Sequence, residues 1–291
     1  MVLGTLPWTI GAGDDQAPAT ASFLNPEPLN PRQRGCYGDG ASKGSATLSI
    51  ELRHTDARTW HLVHLGIVPY AEAWDLQARL VEARGAGSLT NDVVLVLEHP
   101  AVFTLGKRGG REHLLVPEET LARHGIPIVQ VERGGNITFH APGQLVLYPI
   151  IHLERAGIKV VDMVDRLEEV MIRTCAQWGI QAGRNPLNRG VWVGMKKIGA
   201  IGIAVRRGVS FHGMALNVNI DLTPFGWIQP CGLKGVGVTS IAQAAGRPVR
   251  VEEAVGAAVR HIEAVFGIRL EPQTAEELAK KACIGEKAHS G

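Results

Sequence analysis

The sequence predicts an α+β fold in which helices flank a mixed β-sheet. Residues 190–194, 198–206 and 214–220 have the pattern of three strands joined by short turns, with no helix between them. Long amphipathic helices are expected on either side of this block, at 160–178 and at 252–266. A block of adjacent strands set apart from the helices favours layered α+β packing over a doubly wound sheet, in which strands and helices alternate strictly.

The periodicity of apolar residues predicts the elements that precede this block. Residues 60–67 alternate as a half-buried strand, and residues 70–84 repeat at helical spacing. Residues 92–98 form a continuous apolar strand, and a loop rich in glycine and basic residues follows at 105–110. One helical turn is expected at 120–124.

The predicted helices carry recognisable end signals. Gly179 is the expected stop of the first long helix, because glycine readily adopts the left-handed conformation that ends helices. Cys175 lies beside the apolar face of that helix and is assigned to the core. Thr274 followed by Glu277 forms a capping box, which predicts a terminal helix. The residues expected on buried faces are Val160, Val164, Leu167, Met171 and Trp178 in the first long helix and Val255, Val259, Ile262 and Phe266 in the second.

Composition predicts a soluble globular protein. Hydrophobic residues make up 45% and charged residues 20% of the chain, and no run of 18 apolar residues predicts a membrane span. The net charge of +2 is too balanced to indicate a nucleic-acid partner. The 4 cysteines include no C-x-x-C pair, and no secretory leader precedes them. We therefore expect reduced thiols, a cytoplasmic location and no zinc site.

Residues 1–57 differ from the rest of the chain and are predicted to be a flexible N-terminal extension. They are rich in Pro, Gly, Asp and Ser and have no sustained apolar period. A targeting segment is the weaker alternative, because such segments are usually poor in acidic residues, whereas Asp14, Asp15 and Glu27 occur here. Residues 58–270 are predicted to form the main domain, and residues 271–291 a C-terminal helix and tail.

The stretch 133–150 has the pattern of a binding loop between two strands. Gly134 and Gly135 follow an alternating strand at 128–132 and allow the backbone to turn or to approach a ligand closely. Pro142 and Gly143 mark a second tight turn before the apolar strand at 145–151. An ordinary hairpin with a loose loop fits the same pattern.

The search for catalytic motifs leaves a thiol as the candidate nucleophile. The sequence has no phosphate-binding loop, no H-E-x-x-H motif and no G-x-G-x-x-G motif, and residues 208–212 miss the serine nucleophile elbow because the last position is His. Cys231 lies in a loop between Pro230 and Gly232, where a side chain is readily exposed. A buried, unreactive cysteine is the alternative.

A cysteine nucleophile needs a neighbouring cation or base, because a free thiol with a pKa of about 8.5 is mostly protonated at neutral pH. The candidates are His140, His212, Lys196 and Lys197. The two-residue period of a strand separates the lysines onto opposite faces, with Lys197 on the face of Gly199 and Ile201. The alternative is that both lysines are solvated surface residues.

Residues 133–146, RGGNITFHAPGQLV, resemble the signature of the octanoyltransferase family of lipoate biosynthesis, the lipoyl(octanoyl) transferases. Further blocks agree with this family in the same order along the chain, and the match covers about residue 60 to residue 268. These blocks are LVLEHPAVFTLGKRGG at 95–110, KIGAIG at 197–202, FHGMALNVN at 211–219, and DLTPF at 221–225, which leads into PCG at 230–232.

The resemblance implies an acyl transfer by a domain at 58–270 whose fold is similar to the catalytic domain of biotin and lipoate protein ligases. Octanoyl would move from the thioester of acyl carrier protein to a lysine of the lipoyl domains of 2-oxoacid dehydrogenase complexes and the glycine cleavage system. Cys231 would carry the acyl group as a thioester, and Lys197 would lower its pKa or accept its proton. No cofactor is implied, since transfer from a thioester to an amine is downhill.

The resemblance also implies which residues line the acyl group, and it leaves two alternatives open. An ATP-dependent ligase of the lipoate and biotin type is one alternative, and a non-catalytic module that binds acyl chains or lipoyl domains is the other. Ala141 departs from the glycine that is usual in the family, and its methyl group is expected to narrow the acyl pocket. The implied lining residues are Arg133, Gly134, Gly135, Asn136, Ile137, Thr138, Phe139, His140, Ala200, Ile201, Gly202, Gly213, Met214 and Ala215.

Basic residues near the predicted loops are a candidate docking patch, because acyl carrier proteins are acidic. An ordinary solvated basic surface explains the same residues equally well. The patch would comprise Lys107, Arg108, Arg111, Arg206 and Arg207.

Overall fold

The structure is a computed structural model that describes residues 58–186, 188–229 and 237–284. The predicted extension at 1–57 and Cys231 lie outside these residues. The strands are β1 (Arg58–Ile67), β2 (Val93–Glu98), β3 (Val102–Leu105), β4 (Ile128–Gln130), β5 (Ile137–His140), β6 (Gln144–Ile150), β7 (Gly183–Asn185), β8 (Asn188–Val193), β9 (Lys196–Arg206), β10 (Val209–Asn217), β11 (Gly237–Val238) and β12 (Ile268–Pro272). The helices are α1 (Tyr70–Ala86), α2 (Glu118–Arg123), α3 (Leu153–Ala156), α4 (Val160–Ala176), α5 (Ile241–Ala245), α6 (Val251–Phe266) and α7 (Ala275–Ile284).

The main sheet is mixed, as the sequence predicts. Its strand order is β12-β1-β2-β6-β10-β9-β8-β7, and β11 pairs with β9 outside this path. β1 runs parallel to its neighbours β12 and β2, whereas the pairs from β2 through β6, β10, β9 and β8 to β7 are antiparallel. A second sheet of 3 strands has the order β4-β3-β5. The strands that carry the predicted site therefore lie next to one another, with β6, β10 and β9 in the middle of the main sheet.

Helices cover both faces of the main sheet, which explains why its central strands read as continuous apolar runs. In β2, Val94 and Val96 face the core under α4 and α6, while Val93 and Leu95 face the core under α1 and α7. Each fully buried side chain of this kind contributes roughly 1.5–3 kcal/mol to folding. The terminal helix α7 joins the second of these cores through Leu278.

The prediction for the buried face of α4 is partly wrong. Leu167, Met171 and Cys175 are buried as predicted, but Val160 is 46% exposed. The face that packs on the sheet is shifted toward Met163 and Val170, which are fully buried, and Val160 lies in the first turn, beyond the edge of the sheet-covering stripe. The helix ends at Ala176, and Gly179 follows with a left-handed φ of 70°.

The predicted capping box is confirmed at the start of α7. The Thr274 N–H donates to Glu277 Oε2 at 3.1 Å, and the Glu277 N–H donates to Thr274 Oγ1 at 3.2 Å. These reciprocal bonds satisfy two backbone donors that helix geometry leaves unpaired. None of the helices in the described part of the chain combines the length and hydropathy that crossing a bilayer requires.

Candidate active site

A cavity of about 910 Å³ lies over the centre of the main sheet, where the 133–140 stretch faces β9 and β10. Lys197 and all the residues implied to hold the acyl group line it, except Phe139. The Phe139 ring is buried in the core of the second sheet, 4.9 Å from the ring centre of Phe103 and 5.6 Å from that of Phe225. Phe139 therefore anchors β5 and does not reach the cavity.

Ala141 also lies away from the cavity, which corrects the expectation that its methyl group narrows the pocket. It is 7% exposed and belongs to the core of the second sheet, together with Phe139 and Ile220. Its carbonyl accepts a hydrogen bond from the Gln144 N–H at 3.2 Å. The extra methyl group packs into this core.

Glycines allow three backbone segments to meet at the wall of the cavity. The Gly134 N–H donates to the carbonyl of Ile203 on β9 at 2.9 Å. A Cβ at Gly202 would lie 2.7 Å from Gly134 O, and one at Gly106 would lie 2.6 Å from Gly135 O. Gly135 has a φ of 92°, a conformation that other residues rarely adopt. The glycine loop is thus wedged between β9 and the loop that follows β3.

Lys197 lies toward the cavity, whereas Lys196 is exposed. The Lys197 Nζ donates to the carbonyl of Arg189 at 2.8 Å and lies 5.4 Å from the centre of the Trp192 ring. Ile198, the next residue, is fully buried in the core. Lys196 is therefore a surface residue, whereas Lys197 is partly buried at the cavity wall.

The chain that carries Cys231 is tied to the fold on both sides of the undescribed segment. On one side, the Gln229 N–H donates to the His113 carbonyl at 2.8 Å. On the other side, β11 pairs in parallel with β9, with Gly237 opposite Lys196 and Val238 opposite Lys197. Cys231 precedes Gly237 by six positions in the sequence, and β11 lies beside the cavity lysine.

A directed chain of hydrogen bonds orients His140 at the cavity wall. Asn217 Nδ2 donates to the Thr239 carbonyl at 3.0 Å, and Gln144 Nε2 donates to Asn217 Oδ1 at 2.9 Å. The Gln144 Oε1 is then an acceptor, so His140 Nδ1, at 2.7 Å, carries the proton. His140 Nε2 is left as an acceptor, 3.5 Å from the hydroxyl of Thr104.

A second group of buried histidines and tyrosines adjoins His140. His99 Nδ1 donates to the Val68 carbonyl at 2.8 Å, so its Nε2, also at 2.8 Å, accepts from the Tyr148 hydroxyl. The Tyr70 hydroxyl lies 3.4 Å from His212 Nδ1. His212 has a left-handed φ of 55°, and its N–H donates to Gln77 Oε1 at 2.7 Å. Such a backbone conformation is costly outside glycine and persists here because the surroundings fix it.

Burial keeps this whole cluster neutral. Desolvation lowers the pKa of His99 to about 4 and, with help from the charges of Arg133 and Arg206, lowers that of His212 to about 3. Desolvation likewise holds the pKa of His140 well below its usual value and raises the pKa of Tyr148 well above its usual value. His140 and His212, two of the bases considered from the sequence, are therefore poor proton acceptors near neutral pH.

Arg133 brings a positive charge to the edge of the neutral cluster. It is 8% exposed and binds Thr104 through three donor contacts, of which the shortest joins its Nη2 to the Thr104 carbonyl at 2.7 Å. Its Nη1 donates to the Gly134 carbonyl at 3.1 Å. These contacts hold the guanidinium under the glycine loop.

The candidate docking patch is reduced by ion pairs. Arg206 Nη2 lies 2.7 Å from Glu132 Oε1, Arg111 pairs with Glu118, and Arg207 pairs with Glu82. Arg108 lines the cavity and Lys107 is exposed. Carboxylates beside three of the five basic residues weaken the field that an acidic partner would meet.

Several residues of the cavity wall were missed by the sequence reasoning. Tyr148 places a hydroxyl inside an apolar strand, which is a recognisable signal. His99, which binds that hydroxyl without lining the cavity, directly follows a buried strand and was also recognisable. The charged residues on the β7–β8 side carried none, because nothing in their spacing indicates which face they occupy. Within the described ranges, no cluster of three or more His, Cys, Asp or Glu could hold a metal ion. The missed lining residues include Tyr70, Gln144, Tyr148, Val164, Arg184, Asn185 and Arg189.

Known proteins that resemble this chain are lipoate enzymes. Residues 69–263 match the model of the lipoyl protein ligase A/B catalytic domain. The octanoyltransferase of Desulfotalea psychrophila is 54% identical over 187 residues, which span 64% of this chain and 84% of that protein. The octanoyltransferase of Syntrophobacter fumaroxidans is 46% identical over 217 residues, which span 75% of this chain and 95% of that protein.

Solved structures confirm the fold that the resemblance implies for lipoate ligases. A lipoate-protein ligase A bound with ATP aligns with a TM-score of 0.62 at 18% identity, over 77% of this chain and 93% of that one. A putative lipoate protein ligase from T. acidophilum with bound lipoic acid aligns with a TM-score of 0.60 at 19% identity, over 78% of this chain and 95% of that one. Together with the relatives above, these matches show that the chain belongs to the lipoyl protein ligase A/B catalytic-domain family and, within it, to the octanoyltransferases.

Proposed function

We propose that this protein transfers an octanoyl group from octanoyl-acyl carrier protein to a lysine of lipoyl domains in the cytoplasm, through a thioester on Cys231. The recipients would be the lipoyl domains of 2-oxoacid dehydrogenase complexes and of the glycine cleavage system. The observation that supports the proposal is the pairing of β11 with β9, because β11 begins six positions after Cys231 and lies beside Lys197, at a cavity that also offers apolar contacts.

In the first half-reaction, the Cys231 thiolate attacks the carbonyl carbon of the donor thioester. A new C–S bond forms, the bond to the phosphopantetheine sulfur breaks, and that sulfur leaves as a thiolate and takes up a proton. An ammonium at Lys197 favours the Cys231 thiolate by opposite charge. His140 and His212 are less suited to this task, because their lowered pKa values make them weak bases.

In the second half-reaction, the amine of the lipoyl-domain lysine attacks the thioester on Cys231. The C–N bond of the amide forms, the C–S bond breaks, and Lys197 passes the proton of the amine to the departing thiolate. Transfer from thioester to thioester is nearly isoenergetic and transfer from thioester to amide is downhill, so the reaction needs no nucleotide.

The cavity suits an uncharged acyl chain. Ile201, Met214 and Ala215 offer apolar contacts, and each buried CH₂ of the octanoyl chain would contribute about 0.8 kcal/mol to binding. The neutral histidine and tyrosine cluster presents no ionised group to the chain. Backbone N–H groups near the glycines would stabilise the oxyanion of the tetrahedral intermediate, an effect worth about 3 kcal/mol per donor.

Intact mass spectrometry after incubation with octanoyl-acyl carrier protein tests the proposal. We expect one octanoyl group on the wild type without ATP, none on Cys231→Ala, and one on the control Cys175→Ala, whose thiol is buried in the core. Addition of an apo lipoyl domain should remove the adduct and acylate one lysine of the domain. An unmodified wild type, or an adduct that persists in Cys231→Ala, would overturn the proposal. Turnover that requires free octanoate and ATP would establish the ligase alternative.

A further inference from the structure

Glu168 on α4 is a buried carboxylate that the proposed reaction does not use. Its side chain is 1% exposed, and both oxygens are occupied. Oε1 accepts a hydrogen bond from the Gly190 N–H at 2.8 Å, and Oε2 accepts from Arg184 Nε at 3.1 Å and Arg189 Nη1 at 3.3 Å. A carboxylate this deeply buried would be costly without such partners, so the three bonds form one unit.

These bonds fix the β7–β8 hairpin to α4. Arg184 and Arg189 lie on the two strands of the hairpin and both pair with Glu168. Asp165, almost one turn earlier on α4, adds two contacts. Its Oδ1 lies 2.5 Å from Arg189 Nη2, and its backbone carbonyl accepts from Arg184 Nη2 at 2.9 Å. The position of the hairpin relative to the helix is therefore set by charge-assisted hydrogen bonds.

A single peptide group links Glu168 to Lys197. The Gly190 N–H that donates to Glu168 and the Arg189 carbonyl that accepts from Lys197 Nζ belong to the same planar unit. Glu168 thus holds one edge of this plane, and the lysine ammonium is bound at the opposite edge. Because hydrogen bonds in a chain polarise one another, the carboxylate also strengthens the carbonyl as an acceptor.

Gly190 makes room for this arrangement. Its φ is 115°, and a Cβ at this position would lie 2.7 Å from Lys197 Cε and 2.5 Å from the Gly199 carbonyl. The lysine side chain therefore passes directly over the glycine on its way to the Arg189 carbonyl. The lysine side chain thus packs closely against the peptide group, and only a glycine leaves room for it.

From this geometry we infer that Glu168 is a positioning residue for Lys197. By fixing the Arg189–Gly190 peptide plane, it sets the direction of the ammonium and so the reactivity of the thiol that Lys197 serves. The inference rests on the proposed function, in which Lys197 activates Cys231. Glu168 itself touches neither substrate nor the reacting atoms.

Two measurements on Glu168→Gln test this role. The first is the rate of Cys231 alkylation by iodoacetamide at pH 7, read at the Cys231 peptide, and the second is kcat and KM for octanoyl-acyl carrier protein. We expect alkylation and kcat to fall about tenfold, which is the loss of one charged hydrogen bond, while KM changes less than twofold. The matched control is Glu169→Gln, the neighbouring carboxylate, which pairs with Arg173 and Arg184 but binds no backbone of the hairpin. The control should stay within twofold of the wild type in both measurements.

A double-mutant cycle separates positioning from general destabilisation. In a Lys197→Met background, Glu168→Gln should cause no further loss of alkylation rate, because its effect passes through the missing lysine. The inference would be overturned if Glu168→Gln lowered the alkylation rate as much in the Lys197→Met background as in the wild type. It would also be overturned if Glu168→Gln alone had wild-type rates. If Lys197→Met itself leaves alkylation unchanged, it is the proposed role of Lys197 that fails.

Glu168→Asp is the second variant, to be used if Glu168→Gln does not fold. It keeps the charge on a side chain that is one methylene shorter, and a wild-type kcat in that variant would likewise overturn the inference.

Discussion

The two flanks of the cavity are built from opposite kinds of polar group. On the β7–β8 flank, the Lys197 ammonium binds the Arg189 carbonyl, and Glu168 forms ion pairs with Arg184 and Arg189 on the other side of that peptide group. On the β5–β6 flank, His140 and Tyr148 belong to a buried cluster that stays neutral, with the Arg133 guanidinium at its edge. β10 lies between β6 and β9, the strand that carries Lys197, and so separates the two flanks in the sheet. The division suits a reaction in which a thiol must be ionised beside a substrate that has no charge.

The comparison predicts that removing the charge from the β7–β8 flank abolishes turnover with little effect on folding. We expect Lys197→Met to lower kcat/KM on the order of 10³-fold, which is typical of losing a positioned acid-base group. Its free energy of unfolding should change by less than about 1 kcal/mol, because Lys197 is only partly buried.

We would measure kcat/KM by steady-state kinetics and the free energy of unfolding by urea denaturation, for Lys197→Met and for the control Lys196→Met. Lys196 is the exposed neighbour on the same strand, and its variant should retain activity within twofold. Equal losses in the two variants would mean that general surface charge, and not the lysine at the cavity, supports turnover.

The β5–β6 flank should behave in the opposite way, with a large loss of stability when a polar group is removed. Gln144→Leu conserves most of the side-chain volume but leaves His140 Nδ1 and Asn217 Oδ1 without their partner. We expect the free energy of unfolding to fall by about 3 kcal/mol, because both buried groups lose a hydrogen bond. Urea denaturation measures this.

Gln177→Leu is the control for this flank, since Gln177 is exposed and, within the described residues, its side chain makes a single hydrogen bond, of 3.4 Å to the His261 ring. It should change the free energy of unfolding by less than about 0.5 kcal/mol. A Gln144→Leu protein as stable as this control would show that the neutral network does not hold the flank together.

The sequence predicted the main elements of the fold because their signals are local or depend on burial. β2 and β6 are continuous apolar runs, since helices cover both faces of the sheet, and the Thr274 capping box is a local pattern. β12 was missed because it is short, ends in Pro272 and gains its stability from backbone pairing with β1, which is distant in sequence. Val160 was placed in the core because helical spacing alone does not show where the sheet beneath the helix ends.

Site residues that belong to a sequence motif could be predicted. Contacts between residues that are distant in the sequence could not be predicted. The glycine loop was found through its residue pattern and the resemblance, and Lys197 through the resemblance, since strand periodicity only put the two lysines on opposite faces. The link from Glu168 through the Arg189–Gly190 peptide to Lys197 joins a helix to a hairpin about twenty residues away, and no local pattern records it. Phe139 shows the converse, since it belongs to the motif but its ring supports the second sheet.

The neutral flank should also make folding sensitive to mild acid. A histidine whose pKa is lowered on folding binds its proton more readily in the unfolded chain, so stability is full above the unfolded pKa of about 6.5 and is lost as pH falls toward the folded value. For His99, whose folded pKa is about 4, this predicts a loss of about 2 kcal/mol between pH 7 and pH 5.

The measurement compares urea unfolding of the wild type and His99→Gln at both pH values. Carboxylates titrate in both proteins and cancel in the difference, so the variant should lose about 2 kcal/mol less than the wild type over this interval. His99→Gln will be less stable at pH 7, because the bonds of the imidazole to Val68 and Tyr148 change, but the two stabilities should converge as pH falls. Parallel pH profiles would mean that His99 has the same pKa in the folded and unfolded protein, so that burial does not keep it neutral, and the contrast between a charged and a neutral flank would then fail at that residue.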